Sequence, residues 1–162
     1  MLMLMKNYDN EIIMTQKLFK HILLADDDLD DCDFFSEVFK TNFPDVKLSV
    51  SNDGGSLLTL LEGPPHPKAD MIFLDLNMPV VSGPECLEKI RTSTELKNHL
   101  IVIFSTSNSP DDIQKMYSLG ANYFITKPSE YNHLSRLISK AMSLVSHTDV
   151  RQPAFENFHI KI

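Results

Sequence analysis

The chain is short of positive charge. Fifteen lysines and arginines stand against twenty-two aspartates and glutamates, a net charge of -7. Non-specific binding to DNA or RNA needs a basic face to neutralise phosphates, so the balance argues against a nucleic-acid partner. Long hydrophobic runs are also missing. None approaches the roughly 18 to 20 residues of a membrane-spanning helix, so no membrane partner is expected. The leading MLMLMK is shorter than the apolar core of a signal peptide, and no small-residue cleavage site follows it. There are two cysteines, Cys32 and Cys86, with no CxxC spacing and no histidines at ligand spacing. A reduced, cytoplasmic chain is expected, without a disulfide framework or a zinc site. No internal repeat or low-complexity tract is present. What remains is 43% hydrophobic and 23% charged over 162 residues. That suits one globular domain with extensions.

Apolar runs and helical patterns alternate after a leader that carries little signal. Ile22–Ala25 is a short continuous apolar run, the mark of a strand covered on both faces. A helical stretch follows, with Phe34, Phe35, Val38 and Phe39 at i, i+1, i+4 and i+5. Val46–Val50 reads as the second strand, Met71–Leu74 as the third, Leu100–Phe104 as the fourth and Asn122–Thr126 as the fifth. Between them lie a short leucine-rich helix after Asn52-Asp53-Gly54-Gly55 and a helix from Gly83 to Arg91. A third begins at Ser109-Pro110 and is closed by Gly120. The last helix runs from Ser129 to Val145. Five βα units at this spacing predict an α/β fold, a parallel sheet with helices on both faces. The final FENFHIKI alternates apolar and polar residues, which suits either an added edge strand or no fixed structure.

In such sheets a ligand site lies beyond the carboxyl ends of the strands. The first strand ends in Asp26-Asp27, within a group of five aspartates that includes Asp28, Asp30 and Asp31. The third ends in Asp75, the fourth in Ser105-Thr106-Ser107, and the fifth in Lys127-Pro128. Carboxylates with a hydroxyl and a lone ammonium suit a hard, oxygen-liganded cation such as Mg²⁺ together with phosphate oxygens. An aspartate so placed can attack phosphorus and form an aspartyl phosphate. Crowded carboxylates repel, so at least one of their pKa values should be raised. Asp28 or Asp30 suits the N-cap of the first helix, and Asp31, at the start of that helix, is expected to face water.

Four segments in order, ILLADDD, MIFLDLNMPVVSG, IVIFSTS and GANYFITKP, resemble a response-regulator receiver domain. The resemblance covers about residues 20 to 146, leaving residues 1 to 19 as an extension and 147 to 162 as a tail with no output domain. It implies a five-stranded, doubly wound, flavodoxin-like sheet in the order 2-1-3-4-5. Asp26 and Asp27 are then the acidic pair, Asp75 the phosphoacceptor, and Asn77 the donor of a main-chain carbonyl to Mg²⁺. Ser105 is the switch hydroxyl, Lys127 the phosphoryl-binding lysine on a cis bond to Pro128, and Phe124 the aromatic switch. Serine stands where threonine is commoner, and Phe124 lacks a tyrosine hydroxyl. ELKNHLIVIFSTSNSPDDI is also similar to single-domain receivers paired with phytochrome-type kinases. The implied function is a stand-alone phospho-accepting switch in a phosphorelay. It would not be an enzyme proper, though slow self-dephosphorylation would fit. The implied partners are a histidine kinase or histidine phosphotransfer protein, and an unnamed downstream protein that reads helix four, strand five and helix five. A homodimer through that face or the tail is also allowed.

The rival readings fit less well. Asp26, Asp28, Asp30 and Glu37 match calcium-loop positions, but Asp31 stands where the sharp turn wants glycine. A haloacid-dehalogenase-type phosphatase wants a second aspartate where Asn77 stands. A dinucleotide site wants a glycine-rich first turn, not an acidic one. A docking module that works without phosphorylation remains the alternative function.

Overall fold

The computed structural model describes residues 19–64, 68–147 and 152–162; nearly all of the N-terminal extension lies outside them. Five strands run in the order β2-β1-β3-β4-β5, all parallel: β1 (His21–Ala25), β2 (Lys47–Ser51), β3 (Met71–Leu74), β4 (Leu100–Ser105) and β5 (Tyr123–Thr126). Helices α1 (Leu29–Asn42), α2 (Gly54–Glu62), α3 (Gly83–Thr92), α4 (Pro110–Ser118) and α5 (Tyr131–His147) connect and follow them. The expected α/β architecture and strand order are therefore both present. Every residue of β1 and β3 is buried, because helices cover both faces of the inner strands.

Side-chain alternation along the strands divides the core into two layers. On one face Ile22, Leu24, Phe73 and Phe104 pack with α1 and α5; on the other Leu23, Ile72, Leu74 and Ile103 pack with α2 and α3. Phe35 centres the first layer, its ring 4.9 Å from Phe73 and 5.3 Å from Phe104, edge-on to both. That geometry suits the aromatic quadrupole. The buried stripe of α1 is Cys32, Phe35, Val38 and Phe39, whereas Phe34 is 47% exposed. Residues 32, 35 and 39 share one helical face, and residue 34 is turned away from it. In α4 only Met116 is fully buried, while Ile113, Tyr117 and Leu119 pack against the core from its margin.

Helix ends follow local chemistry. Asp28 is the N-cap of α1, its Oδ1 accepting from the backbone of Asp30 (2.9 Å) and Asp31 (3.1 Å). The expected Ser109 cap of α4 is present, and Gly120 ends that helix at φ +90. Its N–H donates to the Tyr117 carbonyl, while the Ala121 N–H donates to that of Met116. This pair of bonds needs a left-handed residue, which glycine adopts without strain.

The described tail residues return to the sheet. Phe124 N–H donates to the Phe158 carbonyl (2.9 Å), and Ile160 N–H donates to the Phe124 carbonyl (2.8 Å). Phe124 and His159 thereby form one parallel bridge. Of the two options for FENFHIKI, the tail takes the edge of β5, preceded by a 3-10 turn at Phe155–Asn157. Phe158 is fully buried, its ring 5.1 Å from Tyr117 and 6.3 Å from Phe124. Phe158→Ala should therefore cost about 3–5 kcal/mol in denaturant unfolding. A loss below about 1 kcal/mol would mean that the tail is not part of the cooperative core.

Candidate functional site

The sheet brings the strand-end residues together. Asp26 continues the ladder past β1 through its N–H to the Ser51 carbonyl (3.0 Å), and Asp75 continues β3 through its N–H to the Ala25 carbonyl (2.9 Å). Lys127 follows β5 with its N–H on the Ser105 carbonyl (2.8 Å). The loop after Asp75 folds back so tightly that a Cβ on Gly83 would lie 2.2 Å from the Asp75 carbonyl oxygen. Only glycine allows α3 to start there. In the same loop Val80 takes φ +67 while exposed to solvent, a conformation that costs a β-branched residue strain.

Lys127 spans the site. Its Nζ lies 2.7 Å from Asp26 Oδ2, 2.8 Å from Asp31 Oδ2 and 3.5 Å from Asp75 Oδ1. The ammonium also sits 5.4 Å from the centre of the Phe104 ring, close enough for a cation–π attraction. Backbone N–H groups take the other carboxylate oxygens: Asp28 donates to Asp26 Oδ1 (3.0 Å) and Asn77 to Asp75 Oδ2 (3.1 Å). Asp26 is fully buried, and its Oδ2 is paired with the Lys127 ammonium at 2.7 Å.

Asp26, Asp27 and Asp75 can each offer an oxygen within 4.8 Å of the others, with Asp27 exposed and the other two buried. Hard oxygen donors at this spacing suit a divalent cation. The buried Asp26 Oδ2, paired with Lys127, still has a lone pair that such an ion would satisfy. Asn77 lies on the loop beside them. Ser105 is fully buried at the end of β4, and its Oγ accepts from Ser107 N–H (3.2 Å). Phe124 lies in the core on the opposite side of β5 from its neighbours Tyr123 and Ile125. Its ring is fully buried and meets His159 of the tail edge-on at 5.4 Å. Phe124, the aromatic switch that the resemblance implies, lies inside the core in this conformation.

Asp31 requires a correction, since it does not simply face water but pairs with Lys127. With Asp28 as N-cap, Asp31 is the third residue of the helix, and helical side chains lean toward the N-terminus. That lean carries its carboxylate back over the end of β1. The pattern of one cap and one acid three residues on was visible in the sequence. Its target was not, because Lys127 is 96 residues away. The calcium-loop reading fails as well: Asp28 is committed to its cap, Asp30 is exposed, and Glu37 is exposed along α1.

Burial raises the pKa values of Asp26 and Asp75, outweighing the opposing pull of Lys127. Repulsion from Asp75 adds to the rise at Asp26 but is the smallest contribution, so the expected rise has a different main cause. Burial works against the Lys127 ammonium, yet Asp26, Asp31 and Asp75 more than offset it and hold that pKa above the ordinary lysine value. A carboxyl with a raised pKa binds its proton more tightly in the folded state. Its ionisation therefore costs stability at neutral pH, and the cost fades as pH falls through the folded-state pKa toward the lower unfolded-state value. Without divalent cation, Asp75→Asn should raise the melting temperature at pH 7 by about 2–4 °C. The gain should shrink on acidification. A gain that is absent at pH 7, or that grows as pH falls, would contradict the assigned cost.

The chain is similar to known proteins. Residues 22–139 match the family model for the response regulator receiver domain. Response regulator Rcp1 of Synechocystis sp. is 32% identical over 123 residues, covering 74% of this chain and 84% of Rcp1. The crystal structure of its Mn²⁺-bound form superposes with a TM-score of 0.70, at 32% identity, over 83% of this chain and 99% of that one. The phosphorylated cyanobacterial phytochrome response regulator RcpA superposes with a TM-score of 0.71, at 29% identity, over 85% of this chain and all of that one. Sheet order, strand-end carboxylates and the family match agree: the chain belongs to the response-regulator receiver family.

Proposed function

We propose that Asp75 accepts a phosphoryl group from a phosphohistidine on a histidine kinase or histidine phosphotransfer protein. The observation that carries this is the buried Asp75 carboxylate, ringed by Asp26, Asp27 and the Lys127 ammonium. An Asp75 oxygen attacks phosphorus, the P–N bond breaks, and the electron pair stays on the histidine ring nitrogen. Asp26, Asp27, Asp75 and the main-chain carbonyl of Asn77 would hold Mg²⁺, which when bound neutralises phosphoryl oxygens. Lys127 binds one phosphoryl oxygen and Ser105 Oγ donates to another. Mn²⁺ in the Rcp1 structure supports a divalent ion at such a site, and RcpA supports a phytochrome-type kinase as the donor. Slow loss of the phosphoryl group to water would reset the switch.

The unit proposed for this switch is residues 20 to 146, in the cytoplasm, with α4, β5 and α5 as its signalling face. The tail lies across β5 there, held by Tyr117 Oη on the Pro153 carbonyl (3.1 Å) and by Gln152 Nε2 on the carbonyls of Tyr117 and Ala121 (both 2.8 Å). A shift of Ser105 toward the phosphoryl group would therefore act on Phe124 and Phe158 together. Ligation would bias two pre-existing packings for a downstream partner or a second copy to read.

Incubation with Mg²⁺ and acetyl phosphate should add one phosphoryl mass to the intact protein. Chelation of Mg²⁺ and Asp75→Asn should each abolish it; full labelling of Asp75→Asn would refute the assignment. Ser105→Ala should still be labelled but should show much smaller amide shifts in α4, β5 and the tail on phosphorylation. Shifts as large as the parent's would remove Ser105 from the switch.

A further inference from the structure

We propose that Asp31 is a positioning residue that restrains Lys127 and thereby slows phosphoryl acceptance. This rests on the reading of Asp75 and Lys127 given above. A lysine ammonium has three N–H donors. Here three carboxylates surround it, Asp26 at 2.7 Å, Asp31 at 2.8 Å and Asp75 at 3.5 Å. Asp26 and Asp75 have a second task, because with Asp27 they form the group of oxygens suited to a cation. Asp31 stands outside that group, and the partner its carboxylate reaches is Lys127.

Two consequences follow. Lys127 must turn at least one donor toward an incoming phosphoryl oxygen, and Asp31 competes for it. The competitor is strong, because the Asp31 contact is a charge-assisted hydrogen bond about as short as the contact with Asp26. Asp31 also remains 35% exposed while Lys127 is 7% exposed. It therefore stands at the rim, where a phosphodonor that arrives as an anion meets its negative charge. Both effects raise the donor concentration needed, and neither requires Asp31 to touch phosphorus. The N-cap at Asp28 keeps the restraint in place, since it fixes the first turn of α1 from which Asp31 leans.

The test compares initial phosphorylation rates over a range of acetyl phosphate concentrations at saturating Mg²⁺. Asp31→Asn should lower the half-saturating concentration about threefold, the scale of one partly exposed ion pair, and the gap from the parent should narrow at high salt. Asp30→Asn is the control: it removes the same charge from the same helical turn, with no ion pair to Lys127. It should behave as the parent does, and Asp31→Glu should restore parent-like values. If Asp31→Asn fails to fold, Asp31→Ser carries the same comparison. An unchanged or higher half-saturating concentration in Asp31→Asn, or an equal fall in Asp30→Asn, overturns the proposal. Absence of any phosphoryl gain in the parent overturns the underlying reading instead, and is seen before any variant is made.

Discussion

One ammonium holds the functional end of this sheet together. Lys127 reaches from the end of β5 to Asp26 after β1 and Asp75 after β3, spanning strands that are not neighbours. Burying two carboxylates would be costly without a paired cation. Burying the lysine would be equally costly without them. The arrangement is nonetheless unbalanced, because Asp27 and Asp31 add further negative charge around a single positive one. A site with this excess of carboxylate oxygens suits a divalent cation. Its stability should be coupled to ion binding by mass action.

The same lysine ties chemistry to packing. Its ammonium rests over Phe104, whose ring meets Phe35 and Phe73 in the layer beneath α1 and α5. On the other side of the sheet, Phe124 joins the layer that contains Phe158 of the tail. Events at the strand ends thus face two different cores. One is a close-packed aromatic cluster with little room to adjust. The other includes a tail segment held by one parallel bridge and by hydrogen bonds from Tyr117 and Gln152.

Much of this could be read directly from residue order. Continuous apolar runs located β1 and β3 to within a residue, since inner strands covered on both faces need them. Pro110 and Gly120 marked the ends of α4 through backbone constraints that act within a few residues. The strand-end rule singled out Asp26, Asp75, Ser105 and Lys127 as a group, because a parallel sheet places all its carboxyl ends along one rim. In each case the controlling physics is local or is dictated by the βα repeat.

Other features depended on the folded chain. Phe34 and Phe35 are equally apolar, and only the rotation of α1 against the sheet decided that Phe35 is buried and Phe34 exposed. The alternating tail was compatible with an edge strand or with none; docking of Phe158 between Tyr117 and Phe124 decided it. The raised pKa of Asp26 owes most to burial, and burial is not a property of neighbouring letters. Asp31 is the clearest case. Sequence alone determined that an acid would stand in the first turn of α1, where it favours the helix dipole. Tertiary structure decided that this acid would meet Lys127, because a contact across 96 residues exists only once the sheet has set β1 and β5 on either side of β3 and β4.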